Sequence, residues 1–184
     1  MKNLHLRTFD LSLDKDFDEF LTYKKDFLNI MSLSYGENYW SDEIYENKIK
    51  KRCLIVSILF SGKELIPIGS IIIKRSGKLS GIAVIKKYRR RGFAKYMIEK
   101  MIHQFPNIFV EVAIENKFMR KLLSQKKFKP VEEIDEILNL LNNEKVQKLK
   151  KENNYVVYYH GERCNVDRLR KFVMYKFKKS NIKS

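Results

Sequence analysis

The sequence predicts an α/β fold with a central mixed, mostly antiparallel sheet of about seven strands, flanked by helices. Short runs rich in Ile and Val alternate with apolar residues spaced three and four apart, which favour strands and one-sided helices respectively. Turn residues around Gly62 and Gly77 separate consecutive strand-like runs, as in antiparallel hairpins. The 184 residues are enough for one domain, which we expect over residues 1–178, followed by a disordered basic tail over residues 179–184.

The N-terminal part is predicted to contain a strand over residues 4–11 and a helix over residues 14–31, with Asp14 as the helix N-cap. A polar, aromatic loop follows over residues 34–39. A second helix is predicted over residues 42–51.

The remaining elements follow from apolar runs and turn signals. Strands over residues 53–60 and Ile66–Lys74 form a hairpin, a strand over residues 79–85 leads into a helix over residues 93–105, and Pro106 ends that helix. The predicted later elements are a strand over 108–114, a helix over 116–126, an extended run over 128–132, an extra helix over 134–151, and closing strands over Tyr155–His160 and 171–178.

Charge and composition restrict the class of partner. Lys and Arg outnumber Asp and Glu by 38 to 22, a formal net charge of +16, so the surface attracts phosphates, acidic proteins or anionic lipid, and nucleic acid is one partner class that fits. An AT-rich coding genome explains the same lysine surplus, so the charge alone identifies no partner. Two distant cysteines and three scattered histidines predict no metal site. With no apolar signal core and no apolar run of about 20 residues, we expect a cytoplasmic protein with reduced thiols and no membrane partner.

The segment over residues 82–95 runs from an apolar strand through a basic turn into a helix. A helix start presents unpaired N–H groups and the positive end of its dipole, and small residues let an anion approach the main chain. We interpret the turn as a pyrophosphate cradle, with a solvated helix start or a generic phosphate patch as the alternative. The turn consists of Arg89, Arg90, Arg91, Gly92, Phe93 and Ala94.

This turn resembles the acetyl-CoA signature of the GNAT acetyltransferase family, which is Arg or Gln, two residues, Gly, one residue, and Gly or Ala. The matching residues are Arg89, Gly92 and Ala94. Residues 82–84 resemble the bulged strand of that family, Tyr88 directly precedes the signature arginine, and residues 109–116 resemble the next strand with its closing asparagine. The resemblance is specific only over residues 79–128.

The resemblance implies acetyl-CoA as the cofactor. The main chain of residues 82–84 would hydrogen-bond the pantetheine arm like an added strand, and residues 90–95 would surround the pyrophosphate. Asn116 would contact the cofactor farther along, although an asparagine there is equally suited to cap a helix, and the two roles can coexist. The implied cofactor-binding residues are Ile82, Ala83, Val84, Arg89, Arg90, Arg91, Gly92, Phe93, Ala94, Lys95 and Asn116.

Glu111 is the candidate general base. Strand alternation places it on the face of the strand opposite to that of Val110 and Val112, and some family members use a glutamate at the matching position. A cross-strand ion pair with a lysine is the alternative interpretation of Glu111, and Glu115 is a poorer candidate base. The tyrosine that the family usually uses as acid is replaced here by Leu123, which has no proton to give. Water can protonate a thiolate of pKa about 8.5, so activity remains compatible with Leu123.

Other polar residues near the implied site have no predicted catalytic role. Ser124 and three tyrosines of the closing strand, Tyr155, Tyr158 and Tyr159, are expected to pack or to lie at the surface. Lys127 stands where the family often has Gly before Phe, so the bend there is expected to be reshaped. A thiol-nucleophile role for Cys164 with His160 is disfavoured, since amine attack on a thioester needs no enzyme nucleophile.

The predicted function is an acetyl-CoA-dependent N-acetyltransferase that acts by direct attack of a primary amine in a ternary complex. The acceptor is left open among a protein, a small amine and an aminoacyl-tRNA, and aromatic residues of the 34–39 region and Trp40 are candidates to line its pocket. We expect a monomer or homodimer. Two alternatives stay open: another acyl-CoA as donor, and a catalytically degenerate binding module that uses its basic surface for nucleic acid or the ribosome.

Overall fold

The computed structural model describes residues 3–35, 42–105, 107–130 and 155–161. The chain divides into two compact units, Met1–Met101 and Ile102–Ser184, which are described one at a time. The predicted single domain over residues 1–178 stays a prediction. The predicted tail, helix 134–151 and strand 171–178 lie outside the described residues.

Among the described residues of the first unit, four antiparallel strands follow the order β1-β2-β3-β4. Strands β2 and β3 are buried along nearly their whole length, as central strands covered on both faces are. Their continuous Ile and Val runs therefore follow from their position. The bounds are β1 (Leu4–Asp10), β2 (Leu54–Ser61), β3 (Ile66–Lys74) and β4 (Lys78–Val84).

Helix α1 (Asp14–Tyr35) packs an aromatic stripe into the core of the first unit. Phe20 lies edge-on to Phe9 and to Phe27, with ring centroids 5.9 and 5.6 Å apart, a geometry that aromatic pairs favour. A shorter helix, α2 (Asp42–Lys50), follows. Lys24 of α1 donates to a carboxylate oxygen of Glu46 on α2 at 2.6 Å.

Both ends of α1 differ from the sequence-based prediction. The helix continues to Tyr35 instead of ending at residue 31, so Ser34 and Tyr35 belong to its last turn and not to a loop. The predicted N-cap is wrong as well, because the helix begins on Asp14 itself and the carbonyl of Leu13 accepts from the N–H of Phe17 at 2.9 Å. The carboxylate of Asp14 instead pairs with Arg52, which propensity alone does not reveal.

Strand β4 is bulged, as the sequence suggested, but at Ser80. Ile72 lies opposite Gly81 and Ile73 lies opposite Leu79, so Ser80 is the extra residue and residues 82–84 keep a regular register.

Helix α3 (Phe93–Gln104) packs directly on the backbone of β3 at Gly69. A Cβ atom at Gly69 would come within 2.9 Å of the carbonyl oxygen of Ala83 and 3.1 Å of the Cε atom of Met97. Only glycine therefore fits this position without a shift of its neighbours.

In the described part of the second unit, three antiparallel strands follow the order β5-β7-β6, and one complete helix packs beside them. Helix α4 turns Leu122 and Leu123 inward. Among the residues described, every helix is too short or too polar to cross a lipid bilayer. The bounds are β5 (Ile108–Ala113), α4 (Lys117–Gln125), β6 (Lys129–Pro130) and β7 (Tyr155–His160).

The bend after α4 keeps the shape that glycine usually provides, although Lys127 occupies it. The N–H of Phe128 donates to the carbonyl of Leu123 and the N–H of Lys127 donates to that of Ser124, both at 3.1 Å, which is the Schellman pattern. Lys127 has a φ of 61°. The expected reshaping of this bend is therefore wrong, because Lys127 accepts the left-handed conformation instead.

Replacing Lys127 with Gly should stabilise the protein. A non-glycine residue in the left-handed region costs about 1–2 kcal/mol, part of which the greater freedom of glycine in the unfolded chain offsets, so we expect Lys127→Gly to raise the free energy of unfolding by about 0.5–1 kcal/mol. Urea denaturation measures this change. Lys126→Gly is the matched control: it removes the same charge one residue earlier, where φ is −101°, and should destabilise. Equal effects of the two substitutions on the free energy of unfolding would contradict the left-handed conformation of Lys127.

His160 lies at the end of β7 against Phe128, with ring centroids 5.0 Å apart. Burial, and secondarily the positive charge of Lys127, lower the pKa of His160 below its usual 6.5. Its Nδ1 atom is buried and has no hydrogen-bond partner among the described residues. The folded protein therefore favours the neutral ring.

The protein should lose stability below about pH 6.5 in part through His160. Because the pKa is lower in the folded state, the unfolded chain binds the proton first, and the free energy of unfolding falls as the pH falls through the unfolded value of about 6.5. In thermal denaturation, the stability of His160→Gln should fall less steeply than that of the parent between about pH 7.5 and 5.5. Parallel declines for the two proteins would refute a role for His160.

Candidate functional site

Strand β4 presents half of its backbone groups away from β3. The N–H of Ile85 donates to the carbonyl of Ile68 at 3.0 Å, and Ala83 lies opposite Ser70 in the same ladder. Since hydrogen-bonded pairs alternate along an antiparallel ladder, the backbone of Ala83 faces β3, and that of Ile82 and Val84 faces away. Of the predicted cofactor-binding residues 82–84, Ile82 and Val84 therefore offer main-chain groups at the outer side of the strand.

The end of α1 contacts those outer groups. The hydroxyl of Tyr35 donates to the carbonyl of Ile82 at 2.8 Å and accepts from the N–H of the same residue at 3.0 Å. The carbonyl of Val84 accepts from the Nε–H of Arg89 at 2.9 Å, and the hydroxyl of Ser34 lies 3.5 Å from it. The signature arginine therefore ties the basic turn back to the strand that precedes it.

The turn between β4 and α3 leaves its backbone accessible to a ligand. A short 3-10 helix, Lys86–Tyr88, leaves β4, and Arg90 and Gly92 then adopt left-handed conformations with φ of 62° and 83°. The first helical bond of α3 runs from the N–H of Tyr96 to the carbonyl of Gly92 at 3.0 Å. The N–H groups of residues 93–95 precede that bond and have no partner within the helix. A Cβ atom at Gly92 would meet nothing within 4 Å, so this helix start faces open space.

Positive charge is concentrated around the turn. No acidic residue occurs between Glu64 and Glu99. Tyr88 anchors part of the basic cluster, with the Nζ of Lys87 5.0 Å and the guanidinium of Arg91 5.8 Å from its ring centre. Within the part of the chain that the structure describes, no carboxylate pairs with these cations. The exposed basic residues of the turn are Lys86, Lys87, Arg89, Arg90, Arg91 and Lys95.

In the second unit, Glu111 is half-buried in the middle of β5 and lies directly opposite Val157 of β7. Its neighbours Val110 and Val112 are buried, as the predicted alternation requires. On the face of Val110 and Val112, Arg120 of α4 donates to the hydroxyl of Tyr158 at 3.2 Å. Glu111 therefore projects from the other face of β5.

The residues around α4 have structural roles. The Oδ1 of Asn116 accepts from the N–H of Met119 at 3.0 Å and caps the helix, while its amide N–H₂ can still donate to a ligand. Leu123 is fully buried, at 0% exposure.

Two further polar side chains of the second unit form internal bonds. Ser124 donates to the carbonyl of Arg120 at 3.1 Å, and Tyr159 donates to the Oδ1 of Asn107 at 2.5 Å. Tyr39, Trp40 and Cys164 lie outside the described residues. Among the residues that are described, no cluster of three His, Cys, Asp or Glu side chains is placed to hold a metal.

The family model described as "Acetyltransferase (GNAT) family" matches residues 21–128, which is more than half of the chain. The chain belongs to the GNAT family. Family membership confirms the acetyltransferase class predicted from the sequence, and it implies acetyl-CoA as the cosubstrate. No curated protein sequence is significantly similar to this chain.

Solved structures of GNAT proteins share the fold. A putative acetyltransferase from Desulfovibrio desulfuricans is 12% identical with a TM-score of 0.54, and the match covers 86% of this chain and 98% of that chain. The ribosomal-protein-S18-alanine N-acetyltransferase from Escherichia coli is 15% identical with a TM-score of 0.52, covering 69% of this chain and 78% of that chain. At these identities the likeness shows the fold alone, which confirms the predicted α/β class.

Sequence reasoning found the basic turn and missed Tyr35 as a partner of β4. The GNAT signature depends on residues close in sequence, whereas Tyr35 and Ile82 are 47 residues apart. The only signal in the sequence is the aromatic content of the region around Tyr35, which the sequence predicts to be a loop.

Proposed function

We propose that this GNAT protein transfers the acetyl group of acetyl-CoA to a primary amine of a protein, a small amine or an aminoacyl-tRNA. One observation carries the proposal: the outward backbone of β4 leads directly into a basic turn and an open helix start, all within the first unit. An acyl-CoA has the same order of groups, with amides in its pantetheine arm followed by a diphosphate.

The diphosphate is proposed to bind the N–H groups of residues 93–95, with the exposed arginines and Lys95 neutralising its charge. The pantetheine amides pair with the outer groups of Ile82 and Val84 as an added strand would. The backbone of Ala83 faces β3, so this residue supports the arm through the position of its strand. Asn116 is proposed as a further contact through its amide N–H₂ group.

Substituting Gly92 should weaken cofactor binding. Gly92→Glu introduces a carboxylate at the helix start, where it repels the diphosphate and occupies the open space beside the main chain. We expect the dissociation constant for acetyl-CoA to rise more than about tenfold, equivalent to about 1.4 kcal/mol. Isothermal titration calorimetry with acetyl-CoA and free CoA measures this change.

Gly62→Glu is the matched control for this experiment. Gly62 also has a left-handed φ, 80° against 83° for Gly92, but lies in the turn between β2 and β3. Both variants should lose similar stability, and only Gly92→Glu should lose binding. Unchanged binding by a folded Gly92→Glu protein would refute the proposed diphosphate site.

The transfer needs a neutral amine and a protonated leaving group. The lone pair of the neutral amine attacks the thioester carbon, a C–N bond forms and the C–S bond breaks. The nitrogen then gives its remaining extra proton to water, and the thiolate takes a proton from water, so that an amide and a free thiol result. Glu111 is proposed to accept the proton that the ammonium loses. A half-buried carboxylate is suited to that task, and the buried Leu123 leaves the thiolate to the solvent.

Glu111→Gln should lower kcat by about 100-fold, the lower end of the range for general base catalysis. The deficit should shrink as the pH rises, because the amine then loses its proton without help. Thiol release from acetyl-CoA with a panel of peptide, polyamine, amino-sugar and aminoacyl-tRNA acceptors measures the rate. Glu115→Gln, which changes an exposed glutamate in the turn after β5, should retain activity. A pH-independent deficit would indicate a structural role for Glu111.

A binding module without catalysis is the second candidate function. The fully buried Leu123 and the basic turn without carboxylate partners in the described part of the chain favour it. Binding of acetyl-CoA without thiol release for any acceptor, together with salt-sensitive RNA binding, would support this candidate. Repeating the acceptor panel with succinyl-CoA tests whether another acyl donor is used.

A further inference from the structure

Tyr35, the last residue of α1, satisfies both outward backbone groups of Ile82 with one hydroxyl. The O–H donates to the carbonyl at 2.8 Å while the oxygen accepts from the N–H at 3.0 Å. A phenol can do both because it is a donor and an acceptor at once. These are the two groups that an added strand would use at this position of β4.

The neighbouring outward carbonyl is also occupied from the same turn of helix. Ser34 precedes Tyr35, and its hydroxyl lies 3.5 Å from the carbonyl oxygen of Val84, at the outer limit of a hydrogen bond. The end of α1 therefore lies along the outer side of β4 at Ile82 and Val84.

The hydroxyl of Tyr35 and an amide of the pantetheine arm compete for the same atoms. The N–H of Ile82 has one hydrogen to donate, so the arm displaces Tyr35 if it pairs with this residue. We propose, building on the acetyl-CoA function above, that Tyr35 is an internal cap of β4 that acyl-CoA displaces on binding. Tyr35 would thus lower the affinity for the cofactor, and its side chain would move when the cofactor binds.

Three proteins test this inference: the parent, Tyr35→Phe and Tyr23→Phe. Tyr23 lies on the same helix, but its hydroxyl accepts from the guanidinium of Arg7 at 2.5 Å, so it is a matched loss of one phenolic hydroxyl. Without the hydroxyl, acyl-CoA displaces only water from Ile82. We expect Tyr35→Phe to bind acetyl-CoA about threefold to tenfold more tightly in calorimetry, as expected for one or two ordinary hydrogen bonds, and Tyr23→Phe to bind like the parent.

Hydrogen exchange of the Ile82 amide, followed by NMR, provides a second readout. In solutions without cofactor this amide should exchange more slowly in the parent than in Tyr35→Phe, and Tyr23→Phe should match the parent. Added CoA should slow the exchange in all three proteins to a similar rate.

The outcomes separate this inference from the function on which it rests. If the parent binds acetyl-CoA and Tyr35→Phe binds it equally or more weakly, Tyr35 is no competitor and the inference is overturned. Equal exchange of the Ile82 amide in the parent and Tyr35→Phe would overturn it as well. If neither the parent nor the folded variants bind acetyl-CoA or CoA, the proposed function fails and the inference falls with it.

Discussion

The alternation of backbone hydrogen bonds in an antiparallel ladder decides which main-chain groups of β4 face away from β3. Because Ala83 pairs toward β3, Ile82 and Val84 have to direct their polar groups the other way. Such groups need a partner, whether a side chain, water or a ligand. The hydroxyl of Tyr35 and the guanidinium of Arg89 supply partners from within the first unit. The sheet geometry itself therefore presents these main-chain groups at the outer side of β4, whatever side chains the strand carries.

The basic turn adds positive charge beside these backbone groups, and no carboxylate of the described residues pairs with it. Most surface cations of a protein lie near carboxylates of the same chain, and their field is then partly cancelled. Here the sequence between Glu64 and Glu99 contains no acid at all. The resulting attraction acts over about 8 Å at physiological ionic strength, so it guides anions to the turn as well as holding them.

The sequence predicted local features of the fold well and long-range contacts poorly. Strands Ile66–Lys74 and Tyr155–His160 and the start of α3 at Phe93 match the prediction, because turn residues mark their ends. The extension of α1 to Tyr35 escaped prediction, since a bond to a strand 47 residues away accompanies it. Lys127 escaped for a different reason: its residue type argues against the left-handed conformation that the Schellman hydrogen bonds impose. At the candidate site, the sequence shows the pattern of arginines and glycine. It does not show which carbonyl Arg89 contacts.

The close seat of α3 at Gly69 has a consequence for ligand selection. Because Gly69 has no side chain, Met97 of α3 packs against the β3 backbone itself, with its Cε atom 3.1 Å from where a Cβ would lie. This packing therefore sets the distance between the amide groups at the start of α3 and the outward backbone groups of β4. At the proposed acyl-CoA site, ligands would then be selected by the length of chain between their phosphates and their first amide, and a nucleotide without such an arm would bind at one end alone.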